Sequence, residues 1–165
     1  MPLLHKDRLL PQTKVTLSLA HELYRNIAKL PIISPHGHCD PSWFSNNKRF
    51  PDPAHLFVVP DHYVFRMLVS QGLKLNELGV QTLNESILEK DPKKIWKKFS
   101  ENYHLFRGTP TAMWLDYSFE KVFGITEPLT PANSDFYYNH IEGRLSQPEY
   151  LPQALFDKFN IEVLA

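Results

Sequence analysis

The chain has 165 residues, 18 Lys+Arg against 18 Asp+Glu, eight His, and 42% hydrophobic and 13% aromatic content. That neutral balance argues against a nucleic-acid binder, and so much apolar and aromatic content excludes a disordered chain. A single cysteine, Cys39, excludes an internal disulfide and points to a reducing compartment, the cytoplasm; the opening Met1-Pro-Leu-Leu-His-Lys-Asp-Arg reads as no signal peptide, and no eighteen apolar residues run together to span a membrane.

Prolines number 14 and glycines 6, whereas average usage is about 5% Pro and 7% Gly. The prolines follow capping residues at Asp52-Pro53, Asp91-Pro92, Thr109-Pro110 and Thr130-Pro131. A side-chain oxygen there accepts from the free amides of a first helical turn, and proline loses no helical bond at the next position. Four such pairs mark four helix starts. Gly72, Gly79, Gly108 and Gly124 fall where helices would stop.

In chain order, Leu19, Leu23, Ile27 and Leu30 recur at three to four residues and predict an amphipathic helix over about 16–30. Leu30-Pro-Ile-Ile-Ser-Pro, β-branched and bounded by prolines, reads as a short buried strand. The Pro/Asn-rich stretch 40–52 reads as the one internal boundary. A helix is predicted over 61–71. Another follows Asp91-Pro92, with Ile95, Trp96, Phe99, Tyr103 and Phe106 on one stripe. Lys93, Lys94, Lys97 and Lys98 lie largely off that stripe, as a solvated face. A fourth spans 110–123 with Met113, Trp114, Tyr117 and Phe123 apolar, a fifth starts at Pro131 with Phe136, Tyr137, His140 and Ile141, and a sixth covers 152–159. Ile161-Glu-Val-Leu-Ala is a second buried strand. A helical middle is thus framed by two strands far apart in sequence.

The chemistry concentrates at Ser34-Pro35-His36-Gly37-His38-Cys39-Asp40. Side chains alternate along a strand, so His36 and His38 at its end project to one side and can reach one divalent ion. Gly37 between them allows close backbone approach, and neutral imidazole suits zinc and neighbouring transition metals. Two surface histidines in a turn are the plainer reading of the same motif, and two ligands leave a third to come from elsewhere. Cys39 points away from the histidine face as a bystander thiol. The second cluster is Pro60-Asp61-His62-Tyr63-Val64-Phe65-Arg66-Met67. Asp61 as N-cap places His62 and Tyr63 in the first turn, where polar groups meet anions at the positive end of the helix dipole. Arg66, one turn after His62, can bind a carboxylate or pair with a protein acid. For an isolated His-Tyr pair, ordinary packing is the alternative. His5, His21, His55 and His140 read as surface or packing residues, and His104 with Arg107 as a helix end.

Together, Leu30-Pro-Ile-Ile-Ser-Pro-His-Gly-His-Cys-Asp-Pro, Pro60-Asp-His-Tyr-Val-Phe-Arg-Met-Leu, Asp91-Pro-Lys-Lys-Ile-Trp and Asn102-Tyr-His-Leu-Phe-Arg-Gly-Thr-Pro closely resemble the uronate (glucuronate) isomerase family, a divergent branch of the amidohydrolase superfamily. The resemblance runs over essentially the whole chain. It implies an α/β fold: the N-terminal part of a metal-dependent (β/α)₈ TIM barrel with a large helical insertion. The N-terminal helix and first barrel strand would occupy 1–40, the insertion 41–160 and the start of the second strand 161–165. It further implies His36 and His38 as ligands of a divalent metal, zinc, and His62 and Tyr63 as the substrate-contacting, catalytic pair. Arg66 would meet the carboxylate of a small-molecule uronate. The implied reaction interconverts D-glucuronate with D-fructuronate and D-galacturonate with D-tagaturonate, without nucleic acid or membrane, in an enzyme that assembles as a homo-oligomer at full length.

Length departs from the family. Such a barrel needs about 250 residues, and the family's further metal-ligand aspartate and arginines would lie in strands after residue 165. The expectation is an N-terminal portion, inactive alone and weak in metal affinity, whose two strands have unpaired edges. Two other readings compete with it: a metal-dependent amidohydrolase, and a non-catalytic helical interaction module.

Overall fold

A computed structural model describes residues 3–83 and 87–165. It begins with helix α1 (Lys14–Ile27), strand β1 (Ile32–Ser34), and helices α2 (Pro41–Asn46), α3 (Pro53–Phe57) and α4 (His62–Ser70). Helices α5 (Pro92–Glu101), α6 (Pro110–Tyr117), α7 (Ser134–Leu145) and α8 (Pro152–Lys158) follow, and β2 (Ile161–Leu164) closes the chain. None of the described helices is long and apolar enough to cross a membrane.

The capped-proline rule accounts for most helix starts. Asp52 accepts the His55 amide at 2.9 Å, Asp91 the Lys93 amide at 3.0 Å and Thr109 the Ala112 amide at 3.2 Å. Thr130-Pro131 opens a 3₁₀ turn, Pro131–Asn133, that runs into α7. The same device operates at Asp40-Pro41, where Asp40 accepts the Ser42 amide at 2.8 Å. The stretch 40–52 is therefore not a bare boundary: it holds α2, and Gln153 of α8 ties to it through the Phe44 carbonyl at 2.8 Å. The four glycines expected at helix ends all take positive φ.

The core forms between α3, α5, α7 and the segment after α6. Ile95, Trp96 and Phe99 are buried on the predicted stripe of α5, facing Ala54 and Val58 on one side and Tyr137, Tyr138 and Ile141 on the other. Burying each large apolar side chain is worth about 1.5–3 kcal/mol. Trp96 Nε1 donates to the Ser134 carbonyl at 3.1 Å, so the indole enters the core with its polar edge satisfied. On the opposite face Lys98 pairs with Glu77 at 3.1 Å and Lys93 reaches Asn139 at 3.2 Å, as expected of a solvated face.

The helix predicted over 110–123 is present but changes pitch part-way. Its α-helical part ends at Tyr117, and Ser118–Val122 widens into a π turn in which the Phe123 amide reaches the Ser118 carbonyl at 3.1 Å. Phe119 and Phe123, four residues apart on this turn, both meet Phe57, with ring centroids at 5.6 and 5.9 Å.

Strands β1 and β2 pair with each other in parallel, Ile33 opposite Val163 and Ser34 opposite Leu164. A parallel pair needs a crossover connection, and here the whole helical middle serves as one. Each strand thus has one paired edge and, among the described residues, one open edge. Nor are the strands buried: Ile33 is 63% and Val163 46% exposed. Their apolar composition faces no second layer among the described residues. The amphipathic stripe of α1 is likewise uncovered, with Leu19, Leu23, Ile27 and Leu30 all more than half exposed.

Candidate active site

Pro35 has no amide hydrogen to continue a strand ladder, and β1 stops at Ser34. His36 and His38 consequently sit in the loop beyond the strand, not on it, and period-two alternation does not govern them. Ser34 Oγ donates to the His36 carbonyl at 2.9 Å and shapes the turn. Both imidazoles are exposed and lie edge to face, with centroids 5.3 Å apart and planes at 88°. A Cβ on Gly37 would stand 3.4 Å from Leu164 Cδ1 and the Ala165 carbonyl, an ordinary contact, so space alone does not demand glycine there.

The second cluster arrives on α4. Asp61 caps this helix by accepting the Tyr63 amide at 2.8 Å, which sets His62 and Tyr63 in its first turn. That turn lies against the loop after β1. The His38 ring is 4.8 Å from His62 and 5.5 Å from Tyr63, nearly parallel to the latter at 9°, while His62 and Tyr63 are 4.3 Å apart. The two sequence clusters, more than twenty residues apart, thus form one aromatic site at the carboxyl end of β1. Arg66 is exposed one turn further along α4 and pairs with no protein acid among the described residues, leaving its fork for an external anion.

Two further residues belong to this site and were read in the sequence only as structural. Trp114 of α6, half exposed, meets Tyr63 edge-on at 6.0 Å. Asp61, read as a cap, also groups with His38 and His62, their ligand atoms all within 4.8 Å of one another; His36 is not part of that group. Two imidazoles and a carboxylate make a donor set suited to zinc, whose nitrogen ligands stand at about 2.0–2.1 Å. Among the described residues, this is the set of three such donors that lies this close together, and His36, its ring 5.3 Å from that of His38, stands beside it. Cys39 does not join it. Its thiol lines a separate hollow with Phe44, Phe156 and Leu164, where desolvation pushes its pKa up and disfavours the thiolate that a metal needs.

Four of the other histidines have structural partners for their rings, His5 Nδ1 accepting the Asp7 amide at 3.1 Å. His21 Nε2 lies 2.6 Å from Asp7, His55 Nδ1 lies 2.7 Å from Asp52, and His140 Nε2 donates to the Phe123 carbonyl at 2.8 Å. His104 sits in a 3₁₀ turn, Tyr103–Phe106, whose end is capped by the Arg107 amide on the His104 carbonyl.

A parallel strand pair joined through helices, with ionisable and aromatic groups gathered beyond a strand's carboxyl end, defines an α/β enzyme scaffold with its site where such folds place it. A model of the glucuronate isomerase family matches residues 3–165, and the chain belongs to that family. It is 52% identical over 163 residues to the uronate isomerase of Rhizobium meliloti, covering 99% of this chain and 35% of that protein. The uronate isomerase of Mesorhizobium japonicum is 50% identical over 96% of this chain and 34% of its own length. The crystal structure of glucuronate isomerase from Caulobacter crescentus superposes with a TM-score of 0.93 at 47% identity, covering 99% of this chain and 34% of that one. Uronate isomerase from Thermotoga maritima, at 24% identity and a TM-score of 0.81, shares the fold. The chain therefore spans about a third of the length of these relatives. The fold is the expected portion of a TIM-barrel enzyme, two parallel strands with a large helical segment between them, and the competing assignment to a different amidohydrolase falls away.

Proposed function

We propose that this chain supplies the first strand-end portion of an enzyme interconverting aldo- and keto-uronates, D-glucuronate with D-fructuronate and D-galacturonate with D-tagaturonate, and that the chain alone does not turn these sugars over. The observation that carries the reading is the convergence of His38, His62 and Tyr63 rings beyond the end of β1.

Moving a sugar carbonyl from C1 to C2 takes a proton from C2, passes an enediolate and returns a proton to C1. Tyr63, 46% exposed, presents its phenol where it can hold or pass a proton at the C1 and C2 oxygens. His62, one residue before it, donates a hydrogen bond to a sugar oxygen and fixes the ring's orientation. Arg66 binds the substrate carboxylate as a planar fork, aided by the positive end of α4. A divalent metal, zinc, held through His36 and His38, would supply Lewis-acid polarisation of a sugar oxygen as negative charge develops there. The setting we infer is cytoplasmic, in keeping with a lone unpaired Cys39.

Grafting residues 3–165 in place of the matching segment of the Caulobacter crescentus enzyme provides the test. In that graft Tyr63→Phe is expected to lower kcat by about 10²–10⁴-fold, the range for removing a proton-transfer group. Arg66→Ala is expected to raise KM for D-glucuronate with a smaller change in kcat. A Tyr63→Phe graft with unaltered kcat would refute the assignment.

A further inference from the structure

We propose that Trp114 is a positioning residue for the isomerisation: its indole confines the Tyr63 ring and so aims the phenol at the sugar oxygens. The inference rests on the reading above, in which Tyr63 holds or passes the proton. It goes beyond that reading by giving α6, a separate helix, a part in the chemistry.

Three observations carry it. First, the backbone of Tyr63 is fixed but its phenol is not. Asp61 accepts the Tyr63 amide at 2.8 Å, whereas the ring is 46% exposed and its hydroxyl makes no hydrogen bond among the described residues. A side chain exposed in this way changes rotamer within picoseconds to nanoseconds unless its neighbours confine it. Second, the three rings that touch Tyr63 differ in footing. His62, at 4.3 Å, precedes it on the same helical turn and moves with it. His38 stacks on it at 5.5 Å from the exposed loop after β1. Trp114 arrives from α6, at 6.0 Å and 76°, the edge-to-face arrangement that aromatic pairs favour. Third, α6 is anchored on each side of the indole. Leu115 is buried, Tyr103 donates to Asp116 at 2.6 Å, and Ser118 Oγ donates to the Trp114 carbonyl at 3.0 Å. The indole itself is half exposed, and its one aromatic neighbour among the described residues is Tyr63. Trp114 is therefore not a core side chain. It is a firmly based wall against which the Tyr63 ring rests.

The test uses the graft of residues 3–165 into the Caulobacter crescentus enzyme, with circular dichroism to check that each variant folds. Misplacing a reacting group by about 1 Å costs on the order of 10²-fold in rate. Trp114→Ala is accordingly expected to lower kcat by about 10- to 100-fold, with KM for D-glucuronate within about threefold. Trp114→Phe keeps an aromatic edge and is expected to stay within about threefold of the parent. The deciding readout is the double variant. Once Tyr63→Phe is in place there is no phenol left to aim, so adding Trp114→Ala is expected to lower kcat by less than about twofold more. A merely structural loss would multiply kcat by the same factor in both backgrounds. That outcome would overturn the proposal, as would an unaltered kcat in Trp114→Ala, or a raised KM alone, the sign of an indole that touches the sugar instead. In the 165-residue chain itself, nuclear Overhauser effects between the indole and the Tyr63 ring are expected, and their absence would overturn the proposal whatever the graft does. An unaltered kcat in Tyr63→Phe sinks the proton-transfer reading and this role with it. A loss in Tyr63→Phe with none in Trp114→Ala sinks this role alone.

Discussion

Gly79→Ala is expected to destabilise the protein by about 2–5 kcal/mol, and Gly124→Ala by about 1–2 kcal/mol. Gly79 closes the 3₁₀ turn Leu75–Leu78 that connects α4, the carrier of His62 and Tyr63, toward α5. Its φ is +75°, a conformation that costs a residue with a Cβ about 1–2 kcal/mol. A Cβ there would also stand 2.7 Å from Ile95 Cδ1 and 3.2 Å from Val59 Cγ2. Ile95 is 0% exposed and cannot swing its terminal methyl away, and Val59 is stiff at χ1, so overpacking adds about 1–3 kcal/mol. Gly124 has almost the same φ, +74°, with nothing within 4 Å of its virtual Cβ. The pair therefore separates backbone strain from steric conflict. Urea unfolding followed by circular dichroism gives both values, provided the m-values match the parent. For a chain of this size a 3 kcal/mol loss also lowers Tm by about 6–12 °C. Equal destabilisation of the two variants would refute the close approach of this turn to α5, and with it the placement of α4.

Other consequences follow from single groups. Asp61→Ala removes the cap that accepts the Tyr63 amide and should cost about 1 kcal/mol in urea midpoint experiments, whereas Asp61→Asn should be nearly neutral. Burial raises the Asp116 pKa, with the neighbouring Glu120 adding to it, although Tyr103 donates to this carboxylate at 2.6 Å. An acid whose folded pKa is raised opposes folding above that pKa, and the penalty fades as pH falls toward the unfolded value of about 3.9. Asp116→Asn is therefore expected to raise Tm at neutral pH, with the gain disappearing near the unfolded pKa; a gain that persists in acid would contradict the burial argument. Cys39, exposed yet held above the usual thiol range by desolvation, should alkylate with iodoacetamide more slowly at neutral pH than a free cysteine does.

Local chemistry made the helices legible. An Asp or Thr before proline announces a helix start whatever surrounds it, because the cap and the fixed φ act within one turn; reading 40–52 as a boundary overlooked the same pair at Asp40-Pro41. The π turn after α6 is not declared by any spacing within 110–123, since Phe119 and Phe123, four residues apart, would share a face and reach Phe57 from an ordinary α-helix as well. Composition finds the strands but not their exposure, since Ile32, Ile33 and Val163 are apolar yet no described residues cover them as a second layer. At the site, His62 and Tyr63 were placed correctly on a first helical turn, but which loop that turn would meet depends on the crossover between β1 and β2. The family resemblance joined the two clusters where periodicity could not. Asp61 carried one signal that was available: a capping carboxylate spends one oxygen on the helix and keeps another beside His62.

The reading we propose is that residues 3–165, which span about a third of the length of their relatives, supply one part of a uronate isomerase site. Its most direct test is D-glucuronate isomerisation, measured by the appearance of D-fructuronate, with the grafted Caulobacter crescentus enzyme and the isolated chain side by side. Turnover by the graft and none by the chain alone is the predicted result. A folded graft without turnover, or an isolated chain that isomerises D-glucuronate, would contradict it.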